Sequence, residues 1–192
     1  MKICHFILAL ILCGIICLSG CASIKKNQKI SPVYVTNTKK FYLLPSACIS
    51  GSIDKTQLLN GKFGDNEFSL LTYTQADQNG IFMTLFNDFG VSMGSLSYDG
   101  KNVVFESNVF PKKLKAEYIL ADLQFAFYSQ EYVKEALSKT GLVFTEEIFE
   151  DKTVRKILNG DNLIELIILE KGSTSIKNLL RNYEYNLVEA GE

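Results

Sequence analysis

Gly90-Val91-Ser92-Met93-Gly94 has the G-x-S-x-G spacing of a serine nucleophile, which works on a sharp strand-to-helix turn with a histidine base beside it. That setting is missing here. Ser92 falls inside a stretch that reads as strand as far as Tyr98, and a further strand follows. The only histidine in the 192-residue chain is His5, inside an N-terminal apolar run. A serine–lysine dyad is formally open, but no S-x-x-K pattern stands at Ser92, so Gly90 and Gly94 read as bend or bulge positions. Without a usable histidine or paired cysteines, zinc, copper and haem sites are largely excluded. Glu146-Glu147 and Glu150-Asp151 flank a turn and read as a solvated acidic face, since they lack the ordered oxygen spacing of a calcium loop. No glycine-rich phosphate loop runs into Lys-Ser or Lys-Thr. The chain is expected not to be an enzyme and to carry no cofactor.

Composition agrees with a binding or structural role. At 47% hydrophobic and 21% charged, the chain can bury a core in one domain. A formal net charge of −1 removes the electrostatic footprint that nucleic-acid binding needs. Lys2 precedes an apolar run from Ile3 to Leu18, shorter than the ~20 residues of a membrane-spanning helix, so residues 1–20 read as a signal peptide. The end of that run, Leu18-Ser19-Gly20-Cys21, resembles the lipobox of bacterial lipoproteins. There the small residues let the chain enter a peptidase cleft, and the thiol accepts a diacylglyceryl group. The resemblance implies cleavage before Cys21 and acylation of its thiol. Ala22 is not the aspartate that typically retains a lipoprotein at the inner membrane, so the resemblance implies the outer membrane, on its periplasmic face. Cys4, Cys13, Cys17 and His5 would leave with the signal. Cys48 is then the one free thiol, which rules out an intramolecular disulfide. Between Ala47 and Ile49, Cys48 reads as a small buried hydrophobe, with intermolecular pairing as the other option.

The elements that would position any site follow from punctuation and period. Residues 21–41 are polar, basic and aperiodic, and read as the lipidated cysteine and a flexible tether. Residues 42–189 read as one domain. Gly64-Asp65-Asn66, Asn79-Gly80, Asp88-Phe89-Gly90 and Asp99-Gly100 separate predicted strands at 57–63, 67–76, 81–87, 91–98 and 102–107. Helical spacing follows over 116–139, with Ile119, Leu120, Leu123 and Phe127 on one face and a break near Ser129. Strands resume at 142–149, 153–158, 162–170, 173–179 and 183–188. The stretches 81–86 and 163–169 are apolar on both faces and need cover on both sides. The expected fold is therefore mainly β with a helical insert (α+β): a curled antiparallel sheet of about ten strands, with the insert as a lid over an apolar interior. A fully packed interior or a sandwich is the alternative. A pocket of roughly 300–1,000 Å³ is expected, lined by Met83, Leu85, Met93, Leu123, Phe127 and Ile167. Phe89 stands at a hairpin tip, where turns are usually polar. It either folds back onto the core or offers an apolar contact to a membrane or partner.

Several stretches resemble a family of Gram-negative outer-membrane lipoproteins often encoded among aryl-polyene biosynthesis genes. They are Gly64 through Leu71, Phe89-Gly90 leading into Leu96-Ser97-Tyr98-Asp99-Gly100, Tyr118-Ile119-Leu120-Ala121-Asp122-Leu123-Gln124, and Asn182-Tyr183 through Leu187. Where that family tends to have Trp-Pro after the helix, this chain has Tyr128-Ser129. The family is similar in fold to LolA and LolB, the periplasmic carrier and outer-membrane receptor for lipoproteins. The resemblance implies a half-open barrel with a helical lid and a cavity for an acyl lipid, a lipidated protein or a polyene lipid, with Phe89 as counterpart of a membrane-meeting loop. It brings no catalytic residues. An accessory lipoprotein that binds another envelope protein is the competing expectation.

One test needs only the sequence. Each buried methylene contributes ~0.8 kcal/mol to anchoring, so losing the acyl chains should release the protein from the membrane. Cys21→Ser is expected to abolish processing and metabolic labelling with palmitate, and a processed, acylated mutant in the outer-membrane fraction would refute the anchor.

Overall fold

Alternating strands and two-residue turns build most of the molecule. The computed structural model describes residues 31–108, 110 and 115–190. The signal peptide and Cys21 lie outside them. A short hairpin, β1 (Val33–Tyr34) and β2 (Lys40–Phe41), leads into a single 3-10 turn at Ser46–Cys48. Five strands follow: β3 (Ile53–Phe63), β4 (Asn66–Asp77), β5 (Gly80–Phe86), β6 (Ser92–Tyr98) and β7 (Val103–Ser107). Two helices come next, α1 (Ala116–Phe127) and α2 (Gln130–Ser138). The chain ends in β8 (Val143–Ile148), β9 (Lys152–Asn159), β10 (Asn162–Glu170), β11 (Ser173–Asn178) and β12 (Tyr183–Glu189).

Strands β3 to β12 form one antiparallel sheet in the order β7-β6-β5-β4-β3-β12-β11-β10-β9-β8. Each half is a meander, and β12 joins the halves by pairing with β3, Tyr183 opposite Phe63. The ladder is open between β7 and β8, so the sheet is not a closed barrel. Those two strands are the ones that the helices connect. Helix α1 contacts β7 at one edge and β10 and β11 on the other half, so the sheet curves round it, while α2 packs on β8. An unpaired edge next to apolar surface invites pairing with other chains, and α2 covers the β8 edge. Antiparallel order puts alternate turns at one end: those after β3, β5, β9 and β11, together with the exit from β7 and the start of α1.

The helical insert is not a lid. Leu120, Ala121, Leu123, Phe125 and Ala126 are all buried, which covers both sides of α1, so the helix is the core of the curved sheet. The apolar stripe read from the sequence is one side only. Ile119 and Phe127, expected on that stripe, are partly buried. The cover on the other side comes from residues 32–50, most of which had been assigned to the tether. Val33, Val35 and Phe41 are buried, and the Phe41 ring meets Phe125 edge-on with centroids 4.7 Å apart. Gln124 acts as a surrogate peptide group: its Oε1 accepts from the Leu44 N–H at 2.8 Å and its Nε2 donates to the Leu44 carbonyl at 3.0 Å. Lys39 donates to the Gly141 carbonyl at 2.5 Å and to Asn159 Oδ1 at 2.7 Å. A polar composition concealed three apolar anchors, so the tether boundary at 41 was set too late.

The same segment sets the helix break. Ile49 and Tyr128 form an antiparallel bridge, and Ser129 N–H donates to the Cys48 carbonyl at 3.0 Å, which draws the backbone out of helix at Tyr128. The last carbonyls of α1 are then in the interior. Arg155 of β9 meets them, its Nη1 lying 2.8, 2.7 and 2.9 Å from the oxygens of Phe125, Ala126 and Tyr128. Its Nε donates to Glu146 Oε2 at 2.6 Å, with both side chains 8% exposed. A cation at a helix C-terminus also complements the helix dipole. Glu146 is thus a core ion-pair partner and not part of a solvated acidic face; Glu147, which pairs with Lys156 at the surface, keeps that description.

Removing one partner of a buried pair costs about 3–5 kcal/mol, because the other charge stays uncompensated. Arg155→Ala should cost that much in urea denaturation. Glu146→Gln, which leaves an acceptor beside the guanidinium, should cost less.

Candidate functional site

At the end of the sheet where α1 begins, the inner face is interrupted. Gly61 faces inward from β3 without a side chain, and the Phe68 ring from β4 lies over it; a Cβ on Gly61 would come 2.2 Å from Phe68 Cζ. A glycine within a strand marks such close approaches. Phe68 is one of a chain of rings: it meets Phe110 edge-on at 5.5 Å and stacks towards Phe63 at 6.2 Å, and Phe63 stacks on Tyr183 at 5.1 Å. Behind these rings lies a wholly apolar pocket. Leu59, Met83, Leu85, Leu96, Leu123 and Leu187 form its floor, and Phe63, Phe68, Phe105, Phe110, Ile119 and Tyr185 its rim.

Its volume is about 50 Å³, well short of the roughly 300–1,000 Å³ of ordinary ligand pockets. The expected large cavity is therefore a correction: α1 occupies the interior, and the pocket lies beside its N-terminal half. Of the expected lining, Met83, Leu85 and Leu123 are together in this pocket, because β5 alternates with Ile81, Met83 and Leu85 inward. Ile167 is fully buried but stands opposite Arg155, in the filled part under the C-terminal half of α1. Met93 and Phe127 are partly buried and pack on the core outside the pocket. The outer face of β5 is not covered as expected, and Phe82 is exposed there. The aromatic rim was missed because Phe63, Phe68, Phe105 and Phe110 sit on four different elements, and only the folded register brings them together.

Next to the pocket is a cleft of about 400 Å³ beside the first turns of α1, lined by Phe63, Lys115, Tyr118, Ile119, Asp122, Arg181, Tyr183 and Tyr185. Asp122 is the interior acid there. Its Oδ2 accepts from the Tyr183 hydroxyl at 2.8 Å and the Tyr185 hydroxyl at 3.2 Å, and burial pushes its carboxyl up to about 7. Glu165 of β10 is also buried. It accepts from Asn178 Nδ2 at 2.9 Å through Oε2, while Oε1 has no hydrogen-bond partner, and burial together with the nearby Asp122 raises its carboxyl well above the usual range. A larger hollow of about 660 Å³ on the outer face is polar and shallow, crossed by the exposed Lys62–Glu67 pair. Among the described residues no group of three or more histidine, cysteine or acidic side chains could hold a metal.

The remaining sequence candidates have definite places. Phe89 does not fold back: it is 90% exposed, beside Val91 at 57%, on the turn between β5 and β6. Asn87 Oδ1 accepts from the Phe89 and Val91 N–H groups at 3.0 and 2.9 Å, which fixes the turn that presents the ring to solvent. Ser92 opens β6 on that hairpin, not on a strand-to-helix turn, and Gly94 is required because a Cβ would meet the Glu106 carbonyl oxygen of β7 at 2.5 Å. Cys48 is half-buried, and burial pushes its thiol up.

The buried acids make stability depend on pH. Both groups hold their protons more tightly folded than unfolded, so their contribution to stability is full below the unfolded values near ~4 and is lost as pH rises, for Asp122 through about 7. Asp122→Asn keeps an acceptor for both tyrosines. Its melting temperature is expected to match the parent near pH ~3, below the unfolded value of an aspartate, to exceed it at pH 8 and to show a shallower slope between, with a further flattening on adding Glu165→Gln.

With this geometry in view, two comparisons place the chain. No curated protein matches it. A family model described as Protein of unknown function (DUF3261) matches residues 54–189, from the start of β3 to the end of β12. That span holds the whole ten-stranded sheet, both helices and the aromatic-rimmed pocket, and the chain belongs to this family.

Proposed function

We propose that the protein is a non-enzymatic lipoprotein, anchored through Cys21 to the periplasmic face of the outer membrane, that accepts one hydrophobic chain at the aromatic-rimmed pocket. The ligand is an acyl lipid, a lipidated protein or a polyene lipid. The observation that carries this reading is where things emerge. The pocket opens at the end of the sheet where the chain arrives from the N-terminus: Ser31 N–H donates to Glu117 Oε1, in the first turn of α1, at 3.2 Å. Ten residues separate Ser31 from Cys21, a reach of at most about 35 Å. The turn bearing Phe89 lies at the same end, as do Leu179 and Leu180, both exposed. An acyl anchor would hold this end towards the bilayer, with Phe89 as the membrane-meeting tip. Side chains that rim an apolar hollow also need little polar anchoring for a ligand, since burial contributes about 25 cal/mol per Å² of apolar surface.

A sheet open at one seam and wrapped round a helix is compatible with a half-open barrel of the LolA and LolB kind, which is the fold this reading adopts. At about 50 Å³ the pocket is smaller than an acyl chain, so on this reading the Phe68 and Phe110 rings at its rim swing outward as the chain enters. The filled interior favours one competitor, an accessory lipoprotein that binds another envelope protein through its exposed apolar tips.

A mature chain made without its signal peptide and with Cys21→Ser separates the two. It is expected to bind a long-chain fatty acid carrying a dansyl group at the far end of the chain, with a rise in fluorescence. Leu85→Trp fills the pocket and should weaken binding several-fold while circular dichroism stays native. If the parent binds neither this acid nor its methyl ester, the accessory reading replaces the carrier.

A further inference from the structure

We infer that the cleft outside the pocket takes the anionic head of a single-chain amphiphile, with Arg181 and Lys115 supplying the counter-charge. The inference rests on the hydrophobic-chain reading above and specifies what the chain must carry at its near end.

Pocket and cleft adjoin, since Phe63, Ile119 and Tyr185 line both. A chain that enters the apolar part therefore leaves its head among the residues of the cleft. Both basic side chains there come from segments that the fold brings together: Lys115 immediately precedes α1, and Arg181 lies in the turn between β11 and β12. Arg181 is held ready. Its guanidinium lies 5.1 Å from the centroid of the Tyr118 ring and donates to the Tyr34 carbonyl, and its own N–H donates to Asn178 Oδ1 at 2.9 Å. Guanidinium has five N–H donors, so donors remain for a ligand, and its planar fork matches the oxygens of a carboxylate or phosphate. The Lys115 carbonyl accepts from the Tyr118 N–H at 3.1 Å, while its ammonium pairs with no acid among the described residues. The one acid of the cleft does not cancel these charges fully, because Asp122 is buried behind Tyr183 and Tyr185 and resists ionisation. A cationic head would meet two like charges, and a neutral head would leave both without a partner. The narrowness of the apolar pocket argues for one chain and not two.

The test uses the same Cys21→Ser mature chain and two probes that differ only in the head: the dansyl-labelled fatty acid and its methyl ester. The acid is expected to bind about tenfold more tightly than the ester, as a charge-assisted contact warrants. Arg181→Gln should remove most of that preference, Lys115→Gln a smaller part, and Arg181→Lys should restore some of it. Ester binding in each variant reports whether the pocket is still folded. Competition by an alkyl phosphate, against inorganic phosphate alone, separates a lipid head from a free anion: displacement by the alkyl phosphate only supports the proposal, and equal displacement by inorganic phosphate overturns it. Equal binding of acid and ester by the parent, or an equal loss of both in Arg181→Gln, also overturns it while leaving the hydrophobic-chain reading in place. Failure of both probes on the parent removes both readings.

Discussion

A helix buried on both sides cannot leave its final carbonyls to water, and in this fold Arg155 is the group that receives them. The rest of the architecture depends on that contact. It lets α1 run through the interior of the sheet, and it ties the helix to β9 and, through Glu146, to β8 at the open seam. The helices that join β7 to β8 thereby become the filling of the curve that these strands leave open. A guanidinium suits the task because its donors are many, planar and permanently charged, and a lysine could not reach as many acceptors with the same geometry.

The two halves of α1 then have different surroundings. Its C-terminal half is enclosed by Arg155, Ile167, Ile157 and the bridge between Ile49 and Tyr128. Its N-terminal half faces Gly61, where the absent side chain and the stacked rings of Phe63 and Phe68 leave an apolar hollow. The polar side of that half is unusual for an interior: two carboxyl groups, Asp122 and Glu165, are buried with tyrosine and asparagine partners and with no cation fully opposing them. Such an arrangement lowers stability at neutral pH. It is the cost of a polar cluster beside the apolar hollow, and it sets the tyrosine hydroxyls beside the cleft.

Much of this was legible in the chain. Every turn marked by Gly64-Asp65-Asn66, Asn79-Gly80, Asp88-Phe89-Gly90 and Asp99-Gly100 reverses a strand, and all ten strands of the sheet fall where alternation and turn residues predict them. Local signals suffice there because hairpin turns need particular backbone angles and strands need a period of two. Other expectations fail where a distant partner decides the outcome, as three residues or groups of residues show. Val33, Val35 and Phe41 looked like isolated apolar residues in a polar tether until α1 supplied a surface for them. Glu146 looked solvated until Arg155, nine residues on, turned inward beside it. Ile167 pointed inward as expected, yet it met the filled half of the helix and not the hollow.

By itself, then, the sequence determined the antiparallel meander, the helical insert and its break, the inward parity of Met83 and Leu85, and the place of Ser92 in a strand and not on a strand-to-helix turn. These follow from backbone preferences and side-chain period, which act over a few residues. The tertiary structure alone decided that the insert is a core and not a lid, that the N-terminal segment covers it, and that the space beside it is about 50 Å³. It also decided which aromatic residues share a rim, and that Lys115 and Arg181 share a cleft with Asp122. Those outcomes depend on how volumes fill a curved sheet and on which charges meet across it. No period in the sequence encodes the distance between residues sixty or more positions apart.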